Sequence, residues 1–475
     1  MSPTDWWLDR LAHTLDRRRP ALTLLRRYLD GDAPLPEGAE GCRDSYKEFQ
    51  RKSRSNWAEL IVEAVAERMI VSGWRVGDLN EDDDAARAVW KRNRLGMWAA
   101  DVHRDMIGLG AGYVCVQRDA RDPDRAEIVY ERPEQVACDH DPARPDRVRA
   151  GLKVYRDDVS GLDAAYVHVL GDDGLAYVER FERATPVNRD GIPQPIQTVA
   201  GQWAPALDAE GFRLGPQPTG LRHVPLVPFV NRSGRSEFGS HLDLIDRINW
   251  GVLQRLVITA MQAYKQRATK GDLPETDETG TPIDYAALFR PGPGALWHLP
   301  EGVELWESGV TDVSGILTAS RDDVRDLAAL TRTPMSMLLP DNTNQSAEGA
   351  AAAREGLVFK TGDRLERAGP SWSLGMGLAL QIEQGLNEVP EVDVQWRPPE
   401  RQSLTERLDA LSKAGSDIPW RTKMARIMQF DGDEIDRMAI ERAEDLLTTA
   451  PAPPLATAPG RPAPEQSPEP DADGR

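Results

Sequence analysis

A nucleotide-driven motor needs a glycine-rich loop ending in Gly-Lys-Ser or Gly-Lys-Thr after a strand, so that backbone amides and the lysine cradle the phosphates. No Gly-Lys pair occurs anywhere in these 475 residues. The nearest imitation is Gly108-x-Gly110-x-Gly112, but it follows a helical pattern and precedes the strand-like run Tyr113 to Val116. That order is the reverse of a phosphate loop and reads as a tight helix-to-strand turn. Asp101, His103 and Asp105 are metal-ligand types. At a spacing of two on a helix they point to different faces, so a solvated surface or an intersubunit hydrogen bond is expected of them. His140, between Asp139 and Asp141 and before Pro142, reads as a turn. The seven histidines are scattered, and no local motif pairs one with a serine or cysteine nucleophile. Asp322-Asp323 and Asp82 to Asp84 read as solvated charge runs. No catalytic, cofactor or metal site is expected. Lys265, Arg267 and Lys270 gather at one end of a predicted helix. There they either touch phosphate or answer the negative end of the helix dipole.

The elements that carry these residues are mainly helical. Residues 5–30 repeat leucine at helical period, and a second helix is predicted over 55–71, stopped by Gly73 before a short strand at Trp74 to Val76. A third is predicted over 84–109. Strand candidates follow at Ile128 to Tyr130, Val136 to Cys138, Leu152 to Tyr155, Tyr166 to Leu170 and Ala176 to Phe181. Residues 184–222 read as loops, and Leu221 to Val230 as extended. Glu237 to Lys270 is predicted as one helix roughly 45 to 50 Å long. Its apolar stripe holds Leu242, Ile245, Ile248, Val252 and Leu256. A small insertion over 272–311 separates it from a helix starting at Asp312, whose stripe includes Ile316, Val324 and Leu327. Thr333-Pro334 ends that helix, because proline removes a backbone donor and pushes its predecessor out of helical geometry. Met335 to Gln345 then reads as a loop, with Pro340 and the turn-forming run Asp341-Asn342-Thr343-Asn344. A long helix follows with a kink expected at Gly369-Pro370, then a lone strand at Val392 to Trp396 and three C-terminal helices over about 404–447. The last 25 residues are rich in proline, alanine and acid and are expected to be disordered.

Composition narrows the partners. There are 58 Lys plus Arg against 77 Asp plus Glu, a net charge of −19. Such a surface does not adhere to phosphate backbones, and a sequence-reading DNA binder is normally basic. It can still surround DNA without gripping it. Cys42, Cys115 and Cys138 are far apart and odd in number, which points to reduced thiols in a cytosolic setting. No leader and no membrane-spanning run is expected.

Two helices flanking an insertion can run antiparallel with the insertion at their tip. Such a projection has no core of its own. Either copies of the chain cover its apolar stripes in a closed ring, or both helices pack inside one large globular core.

The order of segments resembles the portal proteins of tailed bacteriophages, in the group like the portal of phage SPP1. The residues that carry the resemblance are Tyr28-Leu29-Asp30-Gly31, Asn56-Trp57 with Ile61-Val62, and the turn Gly108 to Val116. Further matches are Pro225 to Asn231, then Glu237, Phe238 and Gly239 with Asn249 in the helix beyond. The most telling run is Thr331 to Pro340 with Asn344 to Glu348 and Arg354 to Lys360.

The resemblance implies an α+β, mainly helical portal fold with wing, two-helix stem, small clip insertion and C-terminal helical crown. Residues 1–236 and 346–400 would be the wing, 237–270 and 312–331 the stem, and 271–311 the clip. Residues 332–345 would form a tunnel loop facing DNA through Pro334, Met335, Asn342, Thr343, Asn344 and Gln345. Residues 401–450 would be the crown and 451–475 a tail. The implied assembly is a ring, usually of twelve copies, at one capsid vertex of the virion, passing double-stranded DNA without sequence specificity. The implied partners are the terminase large subunit, head-completion proteins, capsid and scaffold proteins, with no membrane, no cofactor and no enzymatic activity. The competing expectations are a capsid or connector protein without a DNA channel, and a DNA-processing enzyme.

Overall fold

The computed structural model describes residues 3–36, 44–77, 83–189, 191–199, 203–263, 267–276, 279–285, 302–307, 309, 312–339, 347–400, 402–415, 417–430 and 432–449. Two compact units emerge, Met1–Arg401 and Gln402–Arg475. The architecture is mixed helix and sheet.

The first unit opens with helices α1 (Pro3–Leu29), α2 (Asp44–Lys52) and α3 (Trp57–Ala66). Leu8, Leu11, Leu15, Leu22 and Leu29 are buried along one side of α1, the three- and four-residue rhythm of an amphipathic helix. Asn56 caps α3, its side-chain oxygen accepting from the Glu59 amide. Strand β1 (Val71–Val76) leads to α4 (Asp84–Arg92) and α5 (Leu95–Leu109). One continuous helix is the sequence expectation over this span, and the structure corrects it. The Asn93 amide donates to the Val89 and Ala126 carbonyls at 2.9 and 3.2 Å, while its oxygen accepts from the Ile128 amide at 3.0 Å. This stitches the helix end to a strand edge, and Arg94 turns left-handed at φ 53°.

Gly110, at φ +91°, ends α5 and delivers the chain into β2 (Ala111–Arg118). The predicted helix-to-strand turn is therefore present. Strands β3 (Ala126–Glu131), β4 (Val136–Asp141), β5 (Arg144–Asp157), β6 (Leu162–Leu170) and β7 (Ala176–Ala184) follow in close succession. β4 to β7 pair in order as an antiparallel meander, and the two-residue strands β8 (Ala204–Pro205) and β9 (Gln217–Pro218) both pair with β7. β10 (Leu226–Val230) returns to pair with β2, making the three-stranded order β10-β2-β3. The leucine face of α1 lies on the meander through Ala137, Leu152, Val167 and Phe181.

Then come α6 (Leu242–Ala263), β11 (Arg267–Lys270), β12 (Glu304–Glu307), α7 (Ser314–Thr331), the single turn α8 (Met335–Leu338) and the 38-residue α9 (Ala347–Gln384). Strand β13 (Val392–Trp396) is not alone as the sequence reading has it. It pairs antiparallel with β1, a partner too distant in the chain for local pattern to reveal.

The main core gathers around α9. Trp372 is fully buried, with the Phe229 and Trp90 rings at 4.8 and 5.2 Å from its own. Its indole N–H donates to Nε2 of buried His103 at 2.8 Å. Burial pushes the His103 pKa down to about 3, so the ring is a neutral acceptor.

In the second unit, α10 (Leu404–Lys413) starts with a capping box between Ser403 and Glu406. The short α11 (Trp420–Thr422) runs into a π-helical turn over Lys423–Met428, and α12 (Gly432–Thr449) places Arg442 over the Trp420 ring at 5.1 Å.

A Cβ at Gly110 would stand 2.4 Å from the Gly234 carbonyl oxygen, at a φ that L-residues resist. Gly110→Ala should destabilise the first unit by about 2 kcal/mol or more, read as a lower midpoint in urea unfolding. A midpoint equal to wild type would show that this close approach is not tight.

Candidate functional site

The helices flanking the insertion lie side by side. Arg247 on α6 pairs with Asp323 on α7 at 2.7 Å, and Gly251 lies against Ser320. Rising numbers on one meet falling numbers on the other, so the two run antiparallel. Their cover is uneven. Ile245, Ile248, Val324 and Leu327 are fully buried in the main core, and Leu242 packs partly buried against it. Further out, Val252, Leu256 and Ile316 are only half-buried, and Trp250 is 48% exposed. Of the two sequence alternatives, a shared globular core describes the inner half of this pair, while the outer half buries Leu253 and leaves its other apolar side chains among the described residues only partly covered.

The helix expected to reach Lys270 stops at Ala263. Arg267 to Lys270 instead pair as β11 with β12, placing Arg267 opposite Glu307 and Lys270 opposite Glu304. Opposite charges across an antiparallel ladder favour the pairing, and β-branched Thr269 suits a strand better than a helix. Both residues thus leave the helix end where the dipole argument put them. Lys265 lies outside the described residues.

Between α7 and α9 the expected loop is partly helical. Pro334 is buried and caps α8, and Met335, its first residue, is half-buried. Asn342, Thr343, Asn344 and Gln345 lie outside the described residues. Arg332 takes a left-handed conformation at φ 53° directly after α7, before the chain turns at Thr333-Pro334.

The strongest polar feature at the base of the helix pair was not anticipated from the sequence. Glu237 sits just before α6 and receives Lys360 at 3.0 Å and Arg364 at 2.7 Å, both from α9. The Asn231 amide donates to the same carboxylate at 3.0 Å. Lys360 also donates to the Thr331 carbonyl at 2.8 Å, occupying an acceptor left open at the C-terminus of α7. Lys360 and Arg364 are only 6% and 7% exposed. Two cations four apart on the side of a helix that buries Leu357 were the available signal, since buried cations require a partner. Burial alone would raise the Glu237 pKa, but Lys360, Asn231 and Arg364 together hold it below the ordinary carboxylate range.

The candidate ligands Asp101, His103 and Asp105 do not form a solvated surface. His103 and Asp105 are buried, and Asp101 is half-buried. Asp105 accepts from Arg26 at 2.7 and 2.9 Å and from the Tyr130 hydroxyl. These partners lie far away in sequence, which is why spacing alone misplaced the residues. Burial pushes the Cys115 and Cys138 thiols up to about 12, far from thiolate chemistry. Among the described residues no three His, Cys, Asp or Glu side chains converge on a metal position, and no helix is long and apolar enough to cross a membrane.

Glu237→Gln leaves two buried cations short of their counter-charge, so it should cost about 3–5 kcal/mol at neutral pH. The sign with pH follows from the depressed carboxylate. Its contribution is complete above the unfolded-state value and is lost as pH falls through the lower folded value. Urea unfolding from pH 7 to pH 3 should therefore show the gap between wild type and Glu237→Gln closing on the acid side. A gap that stays constant would mean the carboxylate charge is not what matters.

The family described as phage portal protein, SPP1 Gp6-like, matches residues 8–256. The portal protein of Mycobacterium phage L5 is 25% identical over 384 residues, spanning 75% of this chain and 71% of its own. That of Mycobacterium phage D29 is 26% identical over 375 residues, with the same shares. Among solved structures, a chain from the neck of a native GTA particle computed with C12 symmetry covers 86% of this chain and 92% of its own, at 12% identity and a TM-score of 0.44. The family match runs from α1 into α6 and takes in more than half of the sequence, and on that extent the chain belongs to the SPP1 Gp6-like family of phage portal proteins.

Proposed function

We propose that copies of this chain close into a ring at one capsid vertex of the virion, with a central channel through which double-stranded DNA enters during packaging and leaves at ejection. The observation that supports this reading best is the uneven cover of α6 and α7. Their inner half is finished by the chain's own core, while Trp250, Val252, Leu256 and Ile316 further out are left half-open. Exposed apolar surface on a helical pair is stabilised by burial against another chain. A head-to-tail contact that closes gives a ring. In this reading residues 1–236 and 346–400 form the wing, α6 and α7 the stem, 271–311 with β12 the clip, 332–345 the tunnel loop and 401–450 the crown. The clip would receive the terminase large subunit during packaging and head-completion proteins afterwards. The chain itself would be structural, with the driving ATPase a separate protein.

Charge suits the task. A polyanion must slide, and dense cationic contact would create a barrier at every phosphate register. A net charge of −19 and a loop offering Asn342, Thr343, Asn344 and Gln345 give short polar contacts without tight ion pairing.

Negative-stain microscopy of the purified protein should show rings with a central hole, and Leu256→Asp should shift the population to small species. A compact monomer at high concentration would end the ring reading. ATP hydrolysis or nuclease activity by the pure protein would favour a processing enzyme instead. Asn342→Lys with Asn344→Lys should slow DNA translocation in vitro while rings still form. An unchanged translocation rate would remove that segment from the channel wall.

A further inference from the structure

A cavity of about 430 Å³ opens where the segment 231–241, the end of α7 and the middle of α9 meet. Arg232, Arg235, Arg332, Lys360 and Arg364 line it, against the carboxylates of Glu237 and Asp363. Five cations to two anions is the reverse of the chain's own balance of −19. Both carboxylates are already engaged. Glu237 holds Lys360 and Arg364, and Asp363 holds Arg364 and Arg367. His241 adds no charge at neutral pH, because burial and the nearby Lys360 keep it deprotonated. What remains is Arg232, Arg235 and Arg332, all exposed and none in an ion pair or side-chain hydrogen bond among the described residues. Ser233 and Arg332, both at positive φ, fix the backbone that carries them. On the rim stand two uncovered apolar side chains, Phe359 at 70% and Leu330 at 59% exposure.

We infer that this cavity is a socket for the acidic surface of a second copy of the chain, in a head-to-tail contact. Three exposed guanidinium groups, of which, among the described residues, Arg232 alone has a carboxylate, Asp363, within electrostatic reach, repel their own image, so two sockets do not face each other across a two-fold axis. The contact must join different surfaces, which is the heterologous kind. Its mate must be acidic, and a copy carrying −19 presents such a surface. It must also cover Phe359 and Leu330. Arginines beside a desolvated aromatic group are the residue types that carry protein–protein affinity, whereas a phosphodiester backbone gives the two apolar groups no cover. The inference rests on the ring reading and adds to it a charged contact separate from the apolar outer half of α6 and α7.

The test uses the full chain and analytical ultracentrifugation over a range of sodium chloride concentrations. Wild type should assemble, and more weakly as salt rises. Arg232→Glu with Arg332→Glu should raise the concentration for half-assembly about tenfold or more and flatten the salt dependence. Circular dichroism should not change, since neither side chain makes an ion pair or side-chain hydrogen bond among the described residues. Phe359→Ala, a truncation at the exposed rim, should weaken assembly with the salt dependence intact. If wild type itself remains monomeric, the ring reading falls and takes the socket with it. If wild type assembles and both variants match it, the socket alone is wrong. A double reversal that assembles normally but loses affinity for a short DNA duplex would assign the cavity to phosphate and overturn the inference.

Discussion

One largely covered carboxylate gathers the segments that matter. Glu237 belongs to the chain entering α6, Lys360 and Arg364 belong to α9, and through Lys360 the same cluster reaches the last carbonyl-bearing turn of α7. None of these groups is tolerable alone at such burial, since an unpaired ion removed from water is among the costliest features a fold can carry. The helix pair, the turn at Thr333-Pro334 and the long helix therefore come together as a set. The arrangement also explains why Asn231, itself nearly inaccessible, is an amide: it completes the carboxylate's acceptor sites without adding charge.

Around that point, α9 does most of the organising. Trp372 on its one side brings Phe229, Trp90 and His103 into a single aromatic group, and Ser371 beside it donates to the Pro228 carbonyl at 2.7 Å. The helix continues through Pro370. The protein is acidic overall, yet several of its buried or half-buried basic residues sit in specific ion pairs, such as Arg26 with Asp105 and Glu134.

Much of what local pattern carries was legible, although the short amphipathic helix α2 went unread. The leucine rhythm of α1, the strands β3 to β7 and the glycine turn at Gly110 all rest on interactions within a few residues, so their signals lie in the sequence itself. Failures came wherever a distant partner decided the outcome. Arg267 to Lys270 carry no strong strand signal and become one because Glu304 to Glu307 lie opposite. The break at Asn93 depends on the edge of β3, and β13 depends on β1. His103 and Asp105 looked solvated because polar residues at alternating positions usually are; Trp372, Arg26 and Tyr130 were invisible from where they stand. The charged cluster at Glu237 is the same lesson in another form. Its signal, two basic residues four apart on an otherwise apolar helix side, is readable only after burial is known.

The position of that cluster along α9 has a mechanical consequence. The helix is about 57 Å long at 1.5 Å per residue. Lys360 lies roughly 20 Å from its beginning and Arg364 roughly 30 Å from its end, by the same rise. A rod clamped a third of the way along is an unequal lever with an electrostatic pivot. A push on the shorter arm, which begins at Ala347, meets a longer arm fixed in the main core by Trp372, Met376 and Leu380. Such a push is therefore resisted first at the carboxylate and its two cations.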